Sequence, residues 1–142
     1  MPLKIKFKKL HKDAVIPTKA HASDACYDLT AVSKKDLGDG RIEYEFGFAL
    51  GLPPEVQADI RARSSIHKHG LVLSNGIGTI DSAFCGPIKA VFYKLIPSLP
   101  DYEVGNRIAQ IQVPGFFELE FVEVDELEQT DRGDKGYGSS GK

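Results

Sequence analysis

Tryptophan is absent from this 142-residue sequence, and methionine occurs only at position 1. Cysteine occurs twice, at Cys26 and Cys85, which is too few for a disulfide framework. A thiol-containing protein of the reducing cytoplasm is the expectation. No run approaches the ~18 consecutive apolar residues of a membrane-spanning helix. The first twenty residues carry no apolar signal core, because Met1 to Leu10 intersperses lysines among apolar residues. Neither sign of charge dominates. Lys and Arg number 18, Asp and Glu 20, and the net charge is −2. No field of one sign therefore points to nucleic acid or to an anionic membrane, and neither is expected as a partner. What is present, 42% hydrophobic and 27% charged residues, suits one soluble globular domain.

The dominant hydrophobic period is two. Ile42, Tyr44, Phe46, Phe48 and Leu50 take every second position. A strand sends alternate side chains to opposite faces, so this pattern predicts a half-buried strand. Leu3, Ile5 and Phe7 alternate with lysines, and Phe117, Leu119 and Phe121 with glutamates. Residues 88–96, β-branched and aromatic, predict a more central strand. Gly38-Asp-Gly40, Pro53-Pro54 and Pro97 to Asp101 punctuate the runs. Short strands so closely spaced predict an all-β sandwich or barrel. One short helix is expected, from Ser64 or Ser65 to Lys68 or His69, with a serine start and Gly70 as its stop. The N-terminal lysines read as the solvent face of an edge strand, where lysine discourages edge-to-edge pairing. The acidic run from Glu118 to Glu128 reads as a solvated strand face.

Several segments carry possible chemistry. Asn75-Gly-Ile-Gly-Thr-Ile-Asp81 fits neither a dinucleotide fingerprint nor a P-loop. It reads as a turn and a strand ending in a carboxylate, and such an Asp serves equally well as a turn-former. Arg61-Ala-Arg-Ser-Ser65 brings two guanidiniums to a helix start, where unpaired N–H groups hold anions; a solvated loop is the plainer alternative. His67 and His69 lack a carboxylate or cysteine partner for a metal and read as surface residues. Cys26 and Cys85 read as small buried hydrophobes. Residues 131–142 hold four glycines and cannot bury enough to order themselves. They read either as a frayed end or as a mobile flap, in which Arg132 forks onto a phosphate and Tyr137 stacks on a flat ring.

Taken together, these segments resemble the homotrimeric dUTP pyrophosphatase (dUTPase) family. Ser23-Asp-Ala-Cys-Tyr-Asp-Leu29, Ala62-Arg-Ser-Ser65, Asn75 to Gly86, Gly105-Asn-Arg-Ile-Ala-Gln110 and Arg132 to Gly141 are similar to that family's five motifs, in its order. The resemblance implies a distorted, jelly-roll-like β-barrel over residues 1–129. A flexible glycine-rich arm, 130–142, would close over the active site. It implies hydrolysis of dUTP to dUMP and pyrophosphate, with Mg²⁺ carried on the triphosphate and no protein-ligated metal. Asp81 would be the general base that primes water for the α-phosphorus. Asn75, Gly76, Gly78, Thr79 and Ile80 would read the uracil, and Phe84 would pack on the deoxyribose. Arg63, Ser64, Ser65 and Gln110 would hold phosphates. Arg132, Gly138, Ser139 and Ser140 would close over the γ-phosphate, with Tyr137 stacked on the base. The family also implies a site shared among three chains: the first, second and fourth motifs from one, the third from another, the flap from a third.

Several positions depart from the family's pattern. Cys26, Ala62, Ala83, Cys85, Pro87, Asn106, Lys135 and Tyr137 stand where glycine, proline, aspartate, a polar residue, glutamate, aspartate, glycine and phenylalanine are usual. Two further readings follow. One is a dUTPase-like binding or regulatory protein of reduced rate. The other is a dCTP deaminase of the same fold, against which stands the absence of any glutamate between Glu55 and Glu103.

Overall fold

The computed structural model describes every residue except Phe117, Ser139 and Lys142. The longest strand organises the rest. In β4 (Arg41–Gly51) Ile42, Tyr44, Phe46, Phe48 and Leu50 all point into the core, as the period of two requires. Each fully buried side chain of that size contributes roughly 1.5–3 kcal/mol. One edge of β4 pairs antiparallel with β3 (Ser33–Gly38) over its first half and with β1 (Leu3–Lys9) over its second. Its other edge takes β8 (Pro87–Lys94), which pairs in turn with β6 (Leu71–Leu73). The outer side of β1 carries β10 (Leu119–Glu123) in a parallel ladder, Leu3 opposite Leu119. A second sheet runs in the order β2 (Tyr27–Thr30), β9 (Arg107–Gln112), β5 (Ala58–Ala62), β7 (Gly78–Ile80).

The core lies among the inward faces of both sheets: Phe7, Tyr44, Phe46, Phe48 and Phe92 from the first, Leu29, Ile108 and Ile111 from the second. Phe7 and Phe48 stack with centroids 4.6 Å apart. Burial raises the Tyr44 phenol well above its ordinary pKa, and it donates to the Tyr102 carbonyl at 2.9 Å. The architecture is all-β and jelly-roll-like; the two sheets do not close into a barrel among the described residues. No helix of the described residues is long and apolar enough to cross a membrane.

The ladder of β4 slips between Glu45 and Ala49. Gly47 sits in that bulge at φ +78°, and a Cβ there would meet His11 Cβ at 2.8 Å and Val32 at 2.9 Å. Glycine is thus required for the 10–14 segment to lie across the strand.

Some expectations need correction. β1 is interior, not an edge strand, since β10 covers it. Its lysines are matched by the segment after β10: Lys6 pairs with Glu128 and Lys8 with Glu126, each at 3.0 Å. The acidic run is therefore a strand only as far as Glu123, and beyond it packs on β1. The expected alternation at Phe117 falls outside the described residues. The helix is a single 3₁₀ segment, Ser64–His69, closed by left-handed Gly70 as expected. Its N-cap is Arg63, which makes no side-chain cap bond, so the serine-cap expectation fails. β8 ends at Lys94 rather than Ile96, because the Leu95 and Ile96 N–H groups both turn to the Gly70 carbonyl. His69 is not a free surface residue: its ring lies 3.9 Å from Tyr102 and its Nδ1 bonds the Pro100 carbonyl at 2.8 Å. Cys26 and Cys85 are half-buried thiols.

Candidate functional site

The predicted residues gather in two places. The first is a cavity of about 590 Å³ beside β7, within the ~300–1,000 Å³ usual for small-molecule sites. A tight turn after β6 makes its wall. The Gly76 N–H bonds the Leu73 carbonyl at 3.0 Å, and the Ile77 N–H bonds the Asn75 carbonyl at 2.7 Å. Gly78 has no side chain, and a Cβ there would stand 3.3 Å from Asn75 Nδ2. The Asn75 carboxamide thus folds against the strand start, where it can face a planar ring. Thr79 donates to Asp59 at 3.0 Å; Asp59 is the one buried charged side chain among the described residues. That bond ties β7 to β5 below the cavity.

Asp81 follows β7 directly, and its carbonyl accepts the Phe84 N–H at 3.1 Å, which turns the chain. Its carboxylate is 59% exposed and paired with the Arg132 guanidinium. Arg132 also lies over the Phe84 ring, 5.4 Å from its centroid. Gly133 forms a parallel bridge with Phe84 and accepts the Cys85 N–H at 2.8 Å. The tail therefore lies against its own chain's 81–86 segment. Asn75, Gly78, Thr79, Ile80, Asp81, Phe84, Arg132, Tyr137, Gly138 and Ser140 all line this cavity. Gly76 stays in the turn outside it, and Ser139 lies outside the described residues.

Arg63, Ser64, Ser65 and Gln110 are not there. They stand at the far end of β5, where Gln110 pairs with Arg61. Gln110 Nε2 donates to the Ala62 carbonyl at 3.3 Å. Asp28, only 13% exposed, holds Arg63 at 3.4 Å and Arg107 at 3.1 Å. Arg63 also donates to the Arg107 carbonyl at 3.0 Å. One carboxylate thus aims two guanidiniums, a fork suited to phosphate oxygens. Ser64 is exposed beside them. Ile80 lies opposite Ala58 at one end of β5, and Ala62 ends the other. At ~3.3 Å per residue Asp81 and Arg63 are separated by roughly 15 Å or more along that strand, while Gly78, opposite Ile60, lies nearer the Arg63 end.

Sequence reasoning did not single out Asp28, Arg107, Asp59 or Lys89. Lys89 lines the cavity and pairs with Glu45 at 3.5 Å. The alternation of β8 carries its signal, since Ile88 and Ala90 point inward and Lys89 must point away.

A jelly-roll β domain that offers a carboxylate at a strand end, a tight turn lining a cavity and a guanidinium-rich strand end has the chemistry to take a phosphorylated small molecule. The family model described as dUTPase matches residues 12–141, and the chain belongs to the dUTPase family. It is 38% identical to the deoxyuridine 5'-triphosphate nucleotidohydrolase of Wolinella succinogenes, over 99% of this chain and 95% of that protein. It is 33% identical to the protein of the same name from Zymomonas mobilis, over 99% of both. Among solved structures it is similar to the Staphylococcus bacteriophage 80alpha dUTPase with dUPNHPP, at a TM-score of 0.65 and 25% identity, covering 97% of this chain and 98% of that one.

Proposed function

We propose that this chain hydrolyses dUTP to dUMP and pyrophosphate, with Asp81 as the general base. The observation that carries the reading is the convergence of Asn75, Gly78, Asp81, Phe84, Arg132 and Tyr137 on one cavity. Asp81 accepts a proton from water as the water oxygen bonds the α-phosphorus, and the bond to the bridging oxygen of pyrophosphate breaks. Such in-line chemistry asks chiefly for positioning and charge stabilisation. Asn75 and the backbone of 76–80 offer amide groups to the uracil edge, with no space for a thymine methyl. Phe84 underlies the sugar and crowds a 2′-hydroxyl. Tyr137 stacks on the base, while Arg132, Gly138, Ser139 and Ser140 close over the γ-phosphate.

The phosphate-holding residues Arg63, Ser64, Ser65 and Gln110 lie at the other end of β5, so one chain cannot complete the site. A second copy must supply them, which supports a homotrimer with shared sites. Among the described residues no three His, Cys, Asp or Glu side chains gather as a metal cage. Mg²⁺, which binds readily through phosphates and water, fits this donor set as an ion carried by the substrate. When bound it neutralises charge on the triphosphate. Free thiols at Cys26 and Cys85 suit the cytoplasm.

The test is pyrophosphate release from dUTP, dTTP, dCTP and UTP. Release from dUTP alone is expected. Tight dUTP binding without release would leave the binding-protein reading, and ammonia from dCTP the deaminase reading.

A further inference from the structure

Tyr102 lies just before β9 and packs against the 3₁₀ segment Ser64–His69, its ring 3.9 Å from that of His69. On the core side it meets Tyr44 and Phe92 edge-on, with centroids 6.4 and 6.3 Å away. A phenylalanine would keep every one of these ring contacts, so packing does not explain the hydroxyl. Tyr102 is only 2% exposed, and its hydroxyl is the one buried side-chain polar atom without a hydrogen-bond partner among the described residues. The Tyr44 hydroxyl in the same cluster is satisfied by the Tyr102 carbonyl. Buried polar groups are almost always paired, and an unpaired one marks a defect or a function.

Two side chains of the 63–65 segment face this hydroxyl. Burial pushes the Tyr102 phenol above its ordinary value, and Ser65 by hydrogen bonding and Arg63 by charge oppose that shift. Ser65 faces the phenol without completing a bond, and it is half-buried where Ser64 is exposed. It thus stands between the core and the surface. The far end of the 3₁₀ segment is pinned, since His69 Nδ1 bonds the Pro100 carbonyl and Lys94 donates to the His69 carbonyl at 2.9 Å. The near end has no side-chain cap, which leaves Tyr102 to set it.

We infer that Tyr102 is a positioning residue for phosphate binding: its hydroxyl donates to Ser65 Oγ and so aims the Ser65 hydrogen at a phosphate oxygen. This rests on the dUTP-hydrolysing reading above, in which Ser65 holds phosphate. A serine hydroxyl has one hydrogen to give and can accept at the same time. When Ser65 accepts from Tyr102, its own hydrogen is left for the ligand. The accepted bond also polarises the serine O–H, which strengthens its grip on an anion. Tyr102 itself stays beneath the surface and does not touch the nucleotide. Tyr102, Ser65 and Arg63 belong to one chain, so the arrangement is the same however an assembly shares its sites.

The test compares dUTP hydrolysis by wild type, Tyr102→Phe, Ser65→Ala and the double variant, with deoxyuridine competition and thermal melting alongside. Tyr102→Phe should raise KM for dUTP about fivefold, the worth of one hydrogen bond. The deoxyuridine inhibition constant should not change, because deoxyuridine carries no phosphate. Tm should hold or rise, since an unpaired buried hydroxyl is removed. Ser65→Ala should raise KM at least as much, and the double variant should be no worse than Ser65→Ala, as two groups acting in series require. An unchanged KM in Tyr102→Phe would overturn the proposal and leave the hydroxyl a packing defect. Equal weakening of dUTP and deoxyuridine, or additive losses in the double variant, would overturn it too. A wild type that releases no pyrophosphate from dUTP would instead overturn the hydrolase reading, and the role of Tyr102 with it.

Discussion

The two ends of β5 present opposite styles of construction. At the Arg63 end the side chains are mutually satisfied: Asp28 is nearly buried and spends both oxygens on guanidiniums, and Gln110 is tied to backbone. At the Asp81 end the carboxylate is mostly exposed, and its partner Arg132 comes from a glycine-rich segment held by a few bonds. A built end can hold charged phosphates without rearranging. A lightly held end can exchange partners when a substrate arrives, as closing elements must.

The contrast is sharpened most by Asp81→Asn. On the role proposed for Asp81, kcat should fall by roughly 10²–10⁴-fold while nucleotide affinity holds, as single-turnover and binding measurements would show. Asp28→Asn attacks the other end and should act differently. Arg63 and Arg107 lose their common anchor, KM for dUTP should rise about tenfold or more, and stability should drop by about 1–3 kcal/mol in urea. A pure kcat effect there would break the comparison. Gly86→Ala puts a Cβ 2.8 Å from the Cα of Asp134 and so displaces Asp134 and with it the tail. Activity should fall about tenfold with Tm unchanged, and proteolysis should cut sooner after Thr130, as a locally released segment predicts.

The smallest expected effect on activity lies away from both ends. Burial alone would raise the Asp101 carboxyl, yet Lys94 and Lys34, bonded at 2.7 and 3.1 Å, hold it below its ordinary 3.8. The folded protein thus binds that proton less readily than the unfolded chain. The contribution is present above about pH 4 and is lost as pH falls through the lowered value. Asp101→Asn should flatten the acid limb of stability and leave kcat unchanged; a steeper limb would contradict the sign.

Much of this molecule was legible in its residues. The alternation from Ile42 to Leu50 placed the central strand, and Gly70 placed the end of the helix. The motifs held most of the residues that line the cavity, but not Ile60, Ile88 or Lys89. Lateral order was not legible, because period two says which face is buried and nothing about which strand lies beside it. Hence β1 was expected at an edge. For the same reason the sequence did not show that pairing with β5 sends Asp81 and Arg63 to its opposite ends. Thr130 left no signal at all: an isolated threonine between acidic and glycine-rich stretches gives no hint that its hydroxyl bonds both the Ala83 carbonyl and the Gly133 N–H.

The parallel ladder of β1 with β10 has a consequence for biogenesis. Leu3 pairs with Leu119, more than a hundred positions further along the chain. β1 must therefore wait, one flank unpaired, until β10 has been translated. Such distant pairing makes folding slow, on the ms–s scale of high-contact-order β domains, and exposes an incomplete sheet to aggregation in the meantime.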